Sequence, residues 1–111
     1  MPVLKENNAK IVEVRKGLSR RLIHTPNLMM VVIDFTDGPW TEPETLQNHF
    51  HEQITYVVQG EIIFFCEGEE EQKLSGGDMF AVPSNKKHGI QLLSATARLI
   101  DSFNPIREDF L

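Results

Sequence analysis

A single cysteine, Cys66, stands among 111 residues, which excludes an intramolecular disulfide and any paired-cysteine zinc knuckle. One lone thiol also fits a reducing compartment. Positive charge is scarce: 11 Lys and Arg against 16 Asp and Glu leave a net charge of −5 with His neutral. That balance argues against gripping phosphate backbones or anionic lipid, so neither a nucleic-acid nor a membrane partner is expected. Long apolar runs are missing, and none approaches the roughly 20 residues that span a bilayer. The opening MPVLKENNAK has no apolar core of a signal peptide, so a cytoplasmic protein is expected. What remains is 41% hydrophobic and 24% charged, ordinary for a globule. The length suits one domain over residues 1–111, able to bury about two-thirds of its unfolded surface.

Periodicity predicts strands almost throughout. Residues 11–16, 21–25, 28–35, 54–58, 61–66, 78–82, 90–93 and 97–103 are short runs rich in Val, Ile, Phe and Thr. No stretch offers a capped helical pattern, although Pro43 suits the first position of a helical turn within 42–50. Gln59-Gly60 reads as a tight hairpin turn, Glu67-Gly68 precedes a polar strand ending at Leu74, and Ser75-Gly76-Gly77-Asp78 turns the chain again. Short strands at this spacing suggest an all-β barrel or sandwich. The acidic run Glu69-Glu70-Glu71 reads as a solvated hairpin that blunts a sheet edge.

Two segments concentrate metal-ligating or proton-carrying groups. In an extended 47–53 segment, Gln47, His49, His51 and Gln53 share one face, because side chains alternate along a strand. Neighbouring imidazoles on one face can converge on one ion, at about 2.0–2.1 Å for zinc. In the second segment a strand enters from Gly77, ends at Pro83 and places His88 just past a bend. Asp101 and Phe103 follow Leu99 onto one face of the last strand, which puts a carboxylate in an apolar run. A carboxylate there must be paired, protonated or facing a cavity. Pairing with Arg107 and facing a cavity are both open.

Taken together, the two segments resemble the two motifs of the cupin superfamily, which implies an all-β jelly-roll barrel (a double-stranded β-helix) across nearly the whole chain. Gln53 and Gly60 have the seven-residue spacing of the first motif. Gly77, Pro83 and His88 have the six- and five-residue spacings of the second. In that register the implied metal ligands are Gln47, His49, Gln53 and His88, and His51 is an extra histidine. By chemistry alone His49, His51 and His88 make the stronger set, yet a slip of two residues would misplace Gly60. Two imidazoles with two neutral amide oxygens imply a weakly held divalent transition metal: Zn, Ni, Mn or Fe.

The tail, Asp101-x-Phe103 followed by Pro105-x-Arg107 and Asp109-Phe110, is similar to that of small cupins of pectin and alginate breakdown. Those enzymes open and ketonise 4,5-unsaturated uronates. The resemblance implies catalytic roles for Asp101 in proton transfer, Arg107 in holding the substrate carboxylate and Phe103 in shaping the pocket. It also implies a carboxylated sugar as partner and a homodimer, with the apolar 28–35 run as a candidate interface. Other metal-dependent cupin activities, dioxygenase or isomerase, and a non-catalytic barrel that binds a small acid are the alternatives. Among the remaining residues, Met29, Met30 and Met79 are expected as core fillers, Trp40 closing a core end, His24 structural and Cys66 buried.

Overall fold

Along 52–58 burial alternates strictly: Gln53, Thr55 and Val57 are buried while Ile54, Tyr56 and Val58 are exposed. This computed structural model describes residues 3–111. In chain order the strands are β1 (Val12–Arg15), β2 (Leu18–His24), β3 (Met29–Phe35), β4 (Glu52–Gln59) and β5 (Glu61–Cys66). They continue with β6 (Gln72–Ser75), β7 (Met79–Val82), β8 (His88–Leu92) and β9 (Ala97–Asn104). A six-stranded sheet runs β1-β2-β3-β9-β4-β7 and a three-stranded sheet runs β6-β5-β8, and the pairings are antiparallel. The fold is the expected all-β jelly roll. Two short 3-10 turns, Glu6–Asn8 and Glu108–Phe110, lie near the ends. No helix among the described residues is long and apolar enough to cross a membrane.

Two turns depart from expectation. Gln59-Gly60 is not a hairpin turn: β4 pairs with β7 and β9, whereas β5 pairs with β6 and β8. The chain turns a corner from one sheet to the other there. Gly60 has φ +101°, and a Cβ would lie 2.6 Å from the Ala97 Cβ, so the corner needs glycine for both conformation and space. Residues 42–50 form no helical turn. Backbone bonds instead lay this segment along β8, with Glu44 N–H donating to Ile90 O and Gln47 N–H to His88 O. The 21–25 strand begins earlier, at Leu18.

The inner faces meet in a core of Val57, Ile62, Leu92 and Leu99, with the Phe64 and Phe80 rings stacked 4.0 Å apart. Met29 belongs to a second buried group with Val31 and Phe103. Met30 and Met79 are not core fillers; they are 48% and 72% exposed on the outer face of the large sheet. Trp40 packs edge-on to Phe35 and closes a core end as expected. Cys66 is buried, and burial pushes its thiol up, away from nucleophilic use.

Candidate active site at one end of the barrel

Register builds the site. Across the large sheet, Met29, Phe103, Gln53 and Val82 form one inward row, and Val31, Asp101, Thr55 and Phe80 form the next. The β4–β9 pairing therefore sets Gln53 beside Phe103 and Thr55 beside Asp101. From the small sheet, β5 pairs Cys66 with His88, and Gln47 bridges His88 by two backbone bonds of 2.9 Å. Directly opposed residues of an antiparallel pair point to the same face. Gln47 and His88 thus share one wall, with Gln47 more exposed at its rim. The 47–53 segment is not a continuous strand: β4 begins at Glu52, and a bend around His51 carries His49 toward Gln53 and His88.

These side chains surround a cavity of about 270 Å³, lined in part by Gln47, Gln53, His88, Asp101, Phe103 and Arg107. Its floor is a chain of hydrogen bonds. Gln53 Nε2 donates to Thr55 Oγ1 at 2.9 Å and to Asp101 Oδ1 at 3.3 Å. The Thr55 hydroxyl donates to Asp101 Oδ1 at 2.6 Å. Asp101 forms no ion pair within 4.0 Å among the described residues; Arg107 is forked instead onto Asp109, at 3.1 and 2.9 Å. An Asp101–Arg107 pair is therefore not what holds the buried carboxylate. Burial pushes Asp101 up to about 6, with Thr55 and Gln53 pulling it partly back.

Hydrogen bonding also fixes where the lone pairs point. His49 Nδ1 lies 2.8 Å from His51 O and His88 Nδ1 lies 2.9 Å from Lys86 O, so each Nδ1 donates and each Nε2 keeps a lone pair. This anchoring of one ring nitrogen on a backbone carbonyl is the support that metal-ligating histidines receive. Gln53 spends its amide N–H groups on Thr55 and Asp101, which turns Oε1 toward His49 Nε2 at 3.2 Å. Two acceptors thus face each other, an arrangement that a cation or a proton must bridge. The His49 and His88 rings are 4.8 Å apart, and those of His49 and His51 are 5.6 Å apart. His51 Nδ1 is buried without a hydrogen-bond partner.

The donors fit a divalent transition metal held by His49, Gln53 and His88, with Gln47 and His51 flanking them. No three His, Cys, Asp or Glu side chains cluster as a metal site among the described residues. A metal held here would therefore need the amide oxygens among its ligands. Burial lowers the proton affinity of His51 and His88, which favours the neutral, ligating ring.

Sequence reasoning missed Thr55, Glu44, Arg20 and Phe110, although the last three also line the cavity. Thr55 was findable: it stands two residues from Gln53 on the same strand face. His24 lies exposed with its ring against Thr25 O, and Trp40 donates to Asp37.

Such a double-stranded barrel, with histidines and a glutamine gathered at one end, is the architecture of the cupins. The cupin domain profile matches residues 33–103, and the chain belongs to the cupin family. More narrowly, it is 36% identical over 100 residues to the pectin degradation protein KdgF of Dickeya dadantii (strain 3937), covering 89% of this chain and 88% of that one. KdgF from Halomonas sp. superposes with a TM-score of 0.85 at 37% identity, covering 96% of this chain and 97% of that one. An RmlC-like cupin from Shewanella frigidimarina NCIMB 400 matches at 0.88 and 33% identity, over 100% of this chain and 96% of that one.

Proposed function

We propose that this cupin opens and ketonises 4,5-unsaturated uronates in pectin or alginate breakdown, using a divalent metal at His49, Gln53 and His88. One observation carries the reading: Gln53 presents its oxygen to His49 and its nitrogen to Asp101, joining the metal donors to a buried carboxylate. The likeness to two KdgF proteins supports the pectin-derived substrate class. The cavity, about 270 Å³, lies just under the roughly 300–1,000 Å³ of common ligand pockets and suits one sugar acid, not a polymer.

A bound Zn, Ni, Mn or Fe ion supplies Lewis acidity toward substrate oxygens. Asp101, raised to about 6, is poised to take and return a proton near neutral pH. It removes the proton of the anomeric hydroxyl as the ring C–O bond breaks, leaving an aldehyde and an enolate. It then delivers that proton to the ring-derived alkene carbon, and the enolate becomes the ketone. One proton leaves oxygen and one reaches carbon, so the change is an isomerisation. Phe103 walls the reacting carbon, and Arg107, held by Asp109, retains free N–H groups for the substrate carboxylate.

Loss of the unsaturated uronate's ultraviolet absorbance tests this. The protein is expected to accelerate it, and Asp101→Asn and Arg107→Ala to slow it at least about a hundredfold and tenfold, typical losses for a general acid–base group and a charged contact. Rates unchanged in both variants contradict the mechanism.

The reading extends to a cytoplasmic homodimer. On the outer face of the large sheet, Met30, Ser102, Ile54 and Ala81 form one cross-strand row and Val32, Ile100, Tyr56 and Met79 the next. A second copy is the natural cover for these apolar rows. Because β3 is paired on both edges, the 28–35 run contributes through outward side chains and not through strand exchange. A monomer by light scattering contradicts the dimer.

A further inference from the structure

Five arginines occur in the chain, and among the described residues four have a carboxylate within 4.0 Å: Arg15 with Asp37, Arg21 and Arg98 with Asp34, and Arg107 with Asp109. Arg20 has none. Its place on β2 makes that unusual. Arg20 is paired with Ile33 and alternates with Leu18 and Leu22, whose neighbours on β3 are the buried Phe35 and Val31. Strand alternation therefore turns Arg20 inward, onto the cavity wall. Its Nε is buried with no hydrogen-bond partner. A buried charged donor left unmatched is costly, and such groups mark places where a ligand completes the bonding.

The surroundings tell which ligand. The Arg20 guanidinium sits 3.9 Å over the Phe110 ring, and that of Arg107 sits 4.4 Å over the same ring. Two guanidiniums thus flank one aromatic side chain beside the cavity, with Asp109 as the carboxylate paired to one of them. Glu44 and Asp101 line the same cavity, so the excess of positive charge is confined to the side of Phe110, where the two guanidiniums outnumber Asp109. Arg107 has already committed two N–H groups to Asp109. Arg20 keeps its planar fork free, the geometry that matches a carboxylate.

We propose that Arg20 is the specificity-determining residue of this site, receiving the carboxylate of a sugar acid beside Arg107 and thereby selecting uronates over neutral sugars. This rests on the uronate reading for the substrate class, and it adds a residue that the cupin motifs do not contain. Arg20 touches the carboxylate, not the reacting carbons.

Binding of D-galacturonate and of D-galactose to the metal-loaded protein, followed by NMR, tests it. Arg20→Met keeps the apolar stem and removes the fork, and should weaken galacturonate binding about tenfold or more while leaving galactose unchanged. Arg20→Lys should fall between, keeping the charge without the planar pair. In the wild type, the buried Arg20 Nε–H resonance should move downfield with galacturonate and stay put with galactose, a readout needing no variant to fold. Equal galacturonate binding by wild type and Arg20→Met, equal loss of both sugars, or an unmoved Nε–H signal overturns the proposal. A wild type with no preference for galacturonate overturns it too. The uronate reading is judged separately by the absorbance assay, so a role for Arg20 can fail while the activity stands.

Discussion

The two ends of the barrel are built from the same strands and differ in what those strands turn inward. On β9, Ala97 and Leu99 face one end and Asp101 and Phe103 the other; on β4, Val57 faces one end and Thr55 and Gln53 the other. The first end is an apolar core, and the second carries the polar groups of a cavity whose remaining wall, Phe35, Ile90 and Leu99 among it, is shared with that core. The core end gains stability from every side chain it buries. The cavity end buries a carboxylate, an amide and an imidazole, and it leaves the Gln53 oxygen facing His49 Nε2. Stability and chemistry are thus separated by two residues along each strand.

The sharpest way to break the comparison is to damage the core end alone. Ile62→Ala removes a fully buried side chain and should cost about 2–5 kcal/mol of unfolding free energy, a large share of a small domain's margin. Urea unfolding measures it, and the rate of the remaining folded protein should change little. The same change leaving stability intact would show that the core end is not the stabilising half.

At the cavity end the sign reverses. Folding raises Asp101 from 3.8 to about 6, so the folded state holds the proton more tightly than the unfolded chain. The stability associated with that proton is present below 3.8 and is lost as pH rises to about 6. A shift of roughly two units, at 1.36 kcal/mol each, amounts to about 3 kcal/mol. Metal-free Asp101→Asn, which cannot ionise, should therefore gain on the wild type between pH 4 and pH 7 by up to about that amount, as it loses activity. A constant stability difference across that range would contradict a desolvated Asp101.

The motifs were legible because they encode backbone demands. Gly60 and Gly77 adopt positive φ, and Pro83 ends β7, so their spacing survives translation into structure. Alternation identified the strands but not which face was inside. On β4 the exposed residues Ile54 and Tyr56 are apolar and the buried residues Gln53 and Thr55 are polar, because the inside is a cavity and the outside an apolar surface. The same inversion misplaced Met30 and Met79. The Gln59-Gly60 corner looked like a hairpin because a tight turn uses the same residue types whether the next strand pairs with the last or crosses to the other sheet. The Asp101–Arg107 pairing, left open by the sequence, does not form because Asp109, two residues from Arg107, takes the guanidinium locally. Arg20 was invisible: an arginine between two leucines carries no signal until the sheet turns it inward.

The central claim is that the cavity end exists to hold a divalent ion beside Asp101. Calorimetric titration of the metal-free protein with Zn, Ni, Mn and Fe(II) ions in turn tests it most directly, with His88→Ala alongside. The expected result is uptake of one ion per chain by at least one of these metals, weakened at least about tenfold in the variant, as for loss of a metal-supporting group. No uptake of any of them by the wild type, or equal uptake by His88→Ala, would contradict the account.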